Sequence, residues 1–201
     1  MRDRVMRDND ILQQVKTRTI TVLYGFLTQR QEIPEYILKE YGLTEDYAMY
    51  NRIENMEYED YEAGRKDGRL PDITALEARL TRKIEAAMES CGKPPVPYLE
   101  KLNEELDALG IIARNPEYAD RIFYKLDFFA KYGIDRTAPH RTQAGQAEKA
   151  YRELDSRFVR MTGRRPYADE LFGPDRRQAG IAGNNRGRTL RNSPGGRKPG
   201  M

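Results

Sequence analysis

Apolar residues in this chain recur at steps of three and four, in stretch after stretch. That is the spacing a helix needs to gather them on one face. Leu12, Val15, Thr19, Leu23 and Phe26 follow it first. The β-branched run Thr17, Thr19, Ile20, Thr21 and Val22 makes a strand the alternative there, but the flanks carry no hairpin turn chemistry and helix is favoured. Leu76, Leu80, Ile84 and Ala87 make a second stripe, and Ala147, Tyr151, Leu154, Phe158 and Met161 a last one. Between them, Leu99, Leu102, Leu106 and Leu109 form a packing seam too short for a long coiled coil. The expectation is an all-α chain: six to seven helices, as a bundle or two small helical subdomains, ahead of a disordered basic C-terminal tail.

Punctuation residues divide the stripes. Pro34 suits the first turn of a short helix that ends near Gly42. Thr44 then offers an N-cap, with Glu45 and Asp46 in the first turn, and this third helix is expected to run to about Glu62. Gly64, Gly68 and Pro71 mark a loop, and Thr74 with Glu77 has the form of a capping box. The helix behind it stops at Cys91 and Gly92, and the proline-rich stretch 93–97 is expected to be extended. The leucine-seam helix closes at Gly110. Another starts at Asn115 and Pro116, turns Ile122, Leu126 and Phe129 inward and ends at Gly133. The last long helix stops at Gly163, and residues 166–172 add a turn or two. The expected regions are 1–91, 95–172 and a tail, 173–201.

Charge is distributed unevenly. The chain of 201 residues has 35 cationic and 32 acidic side chains, a net +3. Seven of those cations and none of the acids lie in 176–201, which leaves 28 bases against 32 acids elsewhere. An acidic body thus carries a basic tail, in which arginines alternate with glycines and no aromatic follows Phe172. Arg164, Arg165, Arg176, Arg177, Arg186, Arg188, Arg191, Arg197 and Lys198 are the expected nucleic-acid-binding residues. Contact through them would be electrostatic and blind to sequence. One cysteine, Cys91, excludes an intramolecular disulfide framework. The charged start lacks the apolar core of a signal peptide, and residues 19–27 are too few to span a bilayer, so a cytoplasmic location is expected.

The short helix, Gly42-Leu43-Thr44 turn and following helix resemble the helix-turn-helix of DNA-binding proteins. That resemblance would put residues 45–52 in a major groove. Residues 45–62 hold seven acids against one base, Arg52, and phosphates would repel them. On a continuous helix of 100° per residue, Met49, Ile53 and Met56 share the core side. Tyr47, Tyr50, Glu54, Tyr58 and Tyr61 then form an opposite stripe, the expected partner-binding surface, the alternative being that another helix of the same chain covers the tyrosines.

Little points to catalysis. His140, the one histidine, is expected in a loop beside Arg136 and Arg141, with no nucleophile at a suggestive spacing. Cys91 at a helix C-terminus is disfavoured as a thiolate. Gly64 and Gly68 lack the Lys-Ser/Thr ending of a phosphate loop. Glu104 and Glu105 are expected as solvated flanks of the seam. No metal and no cofactor is expected. The expected function is that of a non-enzymatic binding protein engaging nucleic acid or a nucleoprotein complex. The alternatives are an inhibitor occupying another protein's nucleic-acid channel and a structural helical adaptor.

Overall fold

The computed structural model describes residues 2–119 and 126–163, and their side chains from residue 8 onward except at 126 and 127. These residues form α1 (Arg2–Gln29), α2 (Glu35–Glu40), α3 (Thr44–Glu54), α4 (Tyr58–Lys66), α5 (Ile73–Cys91) and α6 (Val96–Arg114). A 3-10 turn (Pro116–Tyr118), α7 (Leu126–Tyr132) and α8 (His140–Thr162) follow. The described part is therefore all-α: eight helices, with no strand among the described residues. The strand alternative at 17–22 gives way to helix. The expected tail and the added turn at 166–172 lie outside the described residues.

α5 is the central helix, packed on α1, α3 and α7, while α6 lies along α8. Ile84, Met88, Leu102, Leu106 and Leu109 are fully buried. Each such side chain contributes about 1.5–3 kcal/mol over its exposed state. Buried residues from Ile20 to Leu154 make one continuous cluster, so the core crosses the connector after Cys91. α1 and α5 run antiparallel. Arg30 pairs with Glu77 near one end of the contact, and at the other Ile20 Cδ1 lies 3.8 Å from where a side chain on Gly92 would begin.

Several helix ends differ from the expectation, each for a local reason. α5 is capped by Asp72, whose carboxylate accepts the Ala75 N–H at 3.0 Å; Thr74 and Glu77 do not form the cap. Gly110 does not end α6, because Ile112 continues the buried face to Arg114. That burial outweighs a helical glycine's cost of about 1 kcal/mol. The extended stretch is shorter than 93–97, since Val96 and Pro97 begin α6. Gly64 belongs to α4 and not to a loop; a Cβ there would sit 2.7 Å from Leu70 Cδ1, so the chain folds back tightly on it. Gly133 ends α7 as expected, its φ of 64° letting the Ile134 N–H reach the Phe129 carbonyl at 2.8 Å.

The largest correction concerns residues 44–62. They are two helices, broken after Glu54, where the Asn55 side-chain amide donates to the Asn51 carbonyl at 2.7 Å and the backbone turns at Glu57. The break cancels the angular count that put four tyrosines on one outer stripe. Tyr47, Tyr50 and Tyr61 are buried, only 9%, 6% and 9% exposed. Phe26 packs on Tyr47 at 5.6 Å and edge-on to Tyr50 at 6.0 Å between ring centroids. The Tyr47 hydroxyl accepts the Ile33 N–H at 3.2 Å, and that of Tyr61 accepts the Ile73 N–H at 2.9 Å. Ile53 is core as expected, with Met49 and Met56 half-buried beside it.

Candidate functional site

Helical spacing puts Glu85 and Glu89 of α5 one turn apart on one side, facing α6, α7 and α8. Glu85 is wholly buried. Lys131 from α7 meets it at 2.6 Å and meets both Glu105 oxygens of α6 at 2.8 and 3.1 Å. The Tyr132 hydroxyl donates to Glu105 at 2.5 Å. Arg157 from α8 lies 3.4 Å from the other Glu85 oxygen and 2.5 Å from Glu89, which also accepts the Tyr98 hydroxyl at 2.9 Å. Three carboxylates, two cations and two phenols thus lock four helices together. A cavity of about 190 Å³ adjoins the network, lined by Arg82, Lys131, Tyr132, Glu153 and Arg157 among others.

The electrostatics shift the cations and the phenols of the network. Burial alone would push the Lys131 ammonium's pKa down, but the charges of Glu85 and Glu105 outweigh it and raise it. Burial, together with Glu105 and Glu85, pushes the Tyr132 phenol well up. Tyr98 is likewise raised, first by burial and then by Glu85 and Glu89. The guanidinium of Arg157 is raised by Glu89 and Glu85 against its own desolvation. The lysine stays an ammonium and the phenols stay donors through the physiological range. Proton transfer or amine attack needs a group poised near neutrality. These groups are pinned as mutual partners, the behaviour of an internal clamp.

Sequence reasoning missed this network and misplaced Glu105, which is half-buried inside it and not a solvated flank. The reason is that α5 is buried on more than one side. Ala78 and Glu85, seven residues apart, lie outside the Leu76–Leu80–Ile84 stripe yet are buried too. The small Ala78 was the one legible sign of a second inward face.

Beside the network, α8 ends in a basic region. Lys93 and Arg160 are exposed and, with Glu89, Gly92, Arg157 and Met161, line a groove of about 310 Å³. α8 closes at Thr162 just beyond Arg160, and the arginine-rich segment 164–201 follows directly in sequence.

Of the expected partner-binding residues, Glu54 and Tyr58 are exposed, Tyr58 at 73%, while Tyr47, Tyr50 and Tyr61 belong to the core. The expected stripe is therefore not assembled. Arg164, Arg165, Arg176, Arg177, Arg186, Arg188, Arg191, Arg197 and Lys198 lie outside the described residues. His140 is the exposed first residue of α8 and not part of a loop. Cys91 is buried, its sulfur 3.0 Å from the Tyr41 hydroxyl. Among the described residues no group of three or more His, Cys, Asp or Glu could hold a metal, and no helix is long and apolar enough to cross a membrane. Compared with protein-family models, with curated proteins and with solved structures, the chain gives no match.

Proposed function

We propose that this chain is a non-enzymatic binding protein that holds nucleic acid, without regard to sequence, on cations running from Lys93 and Arg160 into its C-terminal segment. The observation that carries the reading is the position of those two exposed cations at the point where the chain leaves α8. Beyond it, residues 164–201 add nine cations against three acids. A body with fixed positive charge at the root of a basic arm presents one continuous track to a phosphate backbone. The helical body is the scaffold for that track. Tyr47, Tyr50 and Tyr61 are core, so the reading assigns those three rings no contact with a partner.

The test is generic duplex DNA or RNA titrated against the full chain and against a chain ending at residue 175. Removing 176–201 takes away seven cations, and most of the affinity should go with them. The full chain's log affinity should fall with log salt at about −0.7 to −0.9 per phosphate neutralised. Equal binding by the two chains, or a flat salt response, overturns the reading.

A further inference from the structure

α1 is longer than its support. α5 packs against its C-terminal half and stops at Cys91, level with Ile20, so the preceding turns of α1 overhang the body. The apolar stripe does not stop there. Thr19, Leu23 and Phe26 are buried on the body, and the same stripe continues on the overhang as Leu12 and Val15, joined by Ile11. These three are 53%, 50% and 59% exposed, although nothing in the chemistry of Leu, Val and Ile favours water. Asp8, Ile11, Leu12 and Val15 stand at positions i, i+3, i+4 and i+7, one ribbon along the helix. The acid sits at the ribbon's N-terminal end. Lys16 and Arg18 flank its C-terminal end.

We infer that a second copy of this chain docks on the ribbon, with the two overhangs antiparallel. The two overhangs are self-complementary. With the two-fold axis at Gln13, Asp8 of each copy comes opposite Arg18 of the other, with Lys16 close by, and Ile11 comes opposite Val15. A parallel pairing sets Asp8 against Asp8 and the cations against each other, which like-charge repulsion disfavours. The contact between copies is isologous, as a two-fold dimer requires, and closes after two chains. It also has a consequence for the basic segment. Two arms on one dimer engage one nucleic acid together, and the second contact becomes intramolecular.

Sedimentation equilibrium over a concentration series tests this on the full chain. The wild type should be a reversible dimer. Leu12→Glu should be monomeric with an unchanged thermal midpoint, since residue 12 is already outside the core. Asp8→Arg should weaken self-association at least about tenfold, the loss expected when two symmetric ion pairs become two repulsions. The double variant Asp8→Arg/Arg18→Asp should recover most of it, because an antiparallel pairing restores both contacts with the charges exchanged. A wild type that stays monomeric overturns the inference, whether the ribbon is then covered by the chain's own C-terminal segment or by another protein. A dimer that survives Leu12→Glu, or a double variant no better than Asp8→Arg, overturns it as well. The nucleic-acid reading stands or falls separately, since single-arm binding by the Leu12→Glu monomer remains measurable.

Discussion

α5 carries an ionic cluster toward each end, and the two differ in how much water reaches them. Toward the N-terminus, Arg79 and Lys83 reach Asp46 of α3 at 2.7 and 2.6 Å. The carboxylate is only 10% exposed, but its cations are 52% and 46% exposed. Toward the C-terminus, Glu85, Lys131 and Glu105 are 0%, 7% and 12% exposed. The same residue types therefore serve two physical purposes. In the first, water can replace either cation, so the pair is a modest staple between α3 and α5. In the second, loss of Lys131 leaves two carboxylates without their shared counter-charge in a low dielectric. The wet cluster tolerates damage; the dry one must be complete.

The most damaging break to that contrast is Lys131→Met. It leaves Glu85 and Glu105 facing each other without their shared ammonium. It should cost about 3–5 kcal/mol in urea unfolding. Tyr132→Phe removes one donor to Glu105 while Lys131 remains, so about 2 kcal/mol is expected. In the wet cluster, Asp46→Asn should cost about 1 kcal/mol, because both cations turn to water.

The same substitution sharpens the comparison with pH. Burial pushes the Asp46 carboxyl up, but hydrogen bonds from Arg79 and Lys83 outweigh it and hold it below its ordinary value of 3.8. A depressed folded-state pKa stabilises the fold above the ordinary carboxylate range, and that stabilisation is lost as pH falls through the folded-state value. Wild type and Asp46→Asn should therefore differ at neutral pH and converge in acid, as followed by thermal midpoints between about pH 6 and pH 2. The smallest effect expected is for Arg79→Gln, about 0.5 kcal/mol or less, vanishing in high salt. If Lys131→Met proves no costlier than Arg79→Gln, the division into dry and wet clusters fails.

The sequence made the helices legible because glycine and proline act locally. Gly92, Gly133 and Gly163 end α5, α7 and α8 where the stripes stop, and Pro34 and Pro116 precede or open turns. It hid what depends on partners from elsewhere. α3 stops at Asn55, whose side-chain amide donates to the Asn51 carbonyl, and residue spacing does not reveal that stop. Once that break is missed, every angle beyond it is wrong, and Tyr61 moves from surface to core. Glu85 and Lys131 are 46 residues apart in sequence, and neither carries a local sign of the other. A charge on a helix next to an apolar stripe looks solvated until a second helix covers it. The basic segment was legible from composition alone, whereas Lys93 and Arg160 come to line one groove only because Arg157 of α8 pairs with Glu89 near the end of α5.

The direct measurement of the proposed nucleic-acid contact is the salt slope of duplex affinity for the full chain beside the Lys93→Gln/Arg160→Gln variant, whose changes lie on exposed side chains. If the track starts on the body, the variant's slope should be shallower by about 1.8, two phosphate contacts' worth on a duplex, with its thermal midpoint unchanged. A variant with the wild-type slope and affinity would contradict that continuity and leave the helical body a bystander.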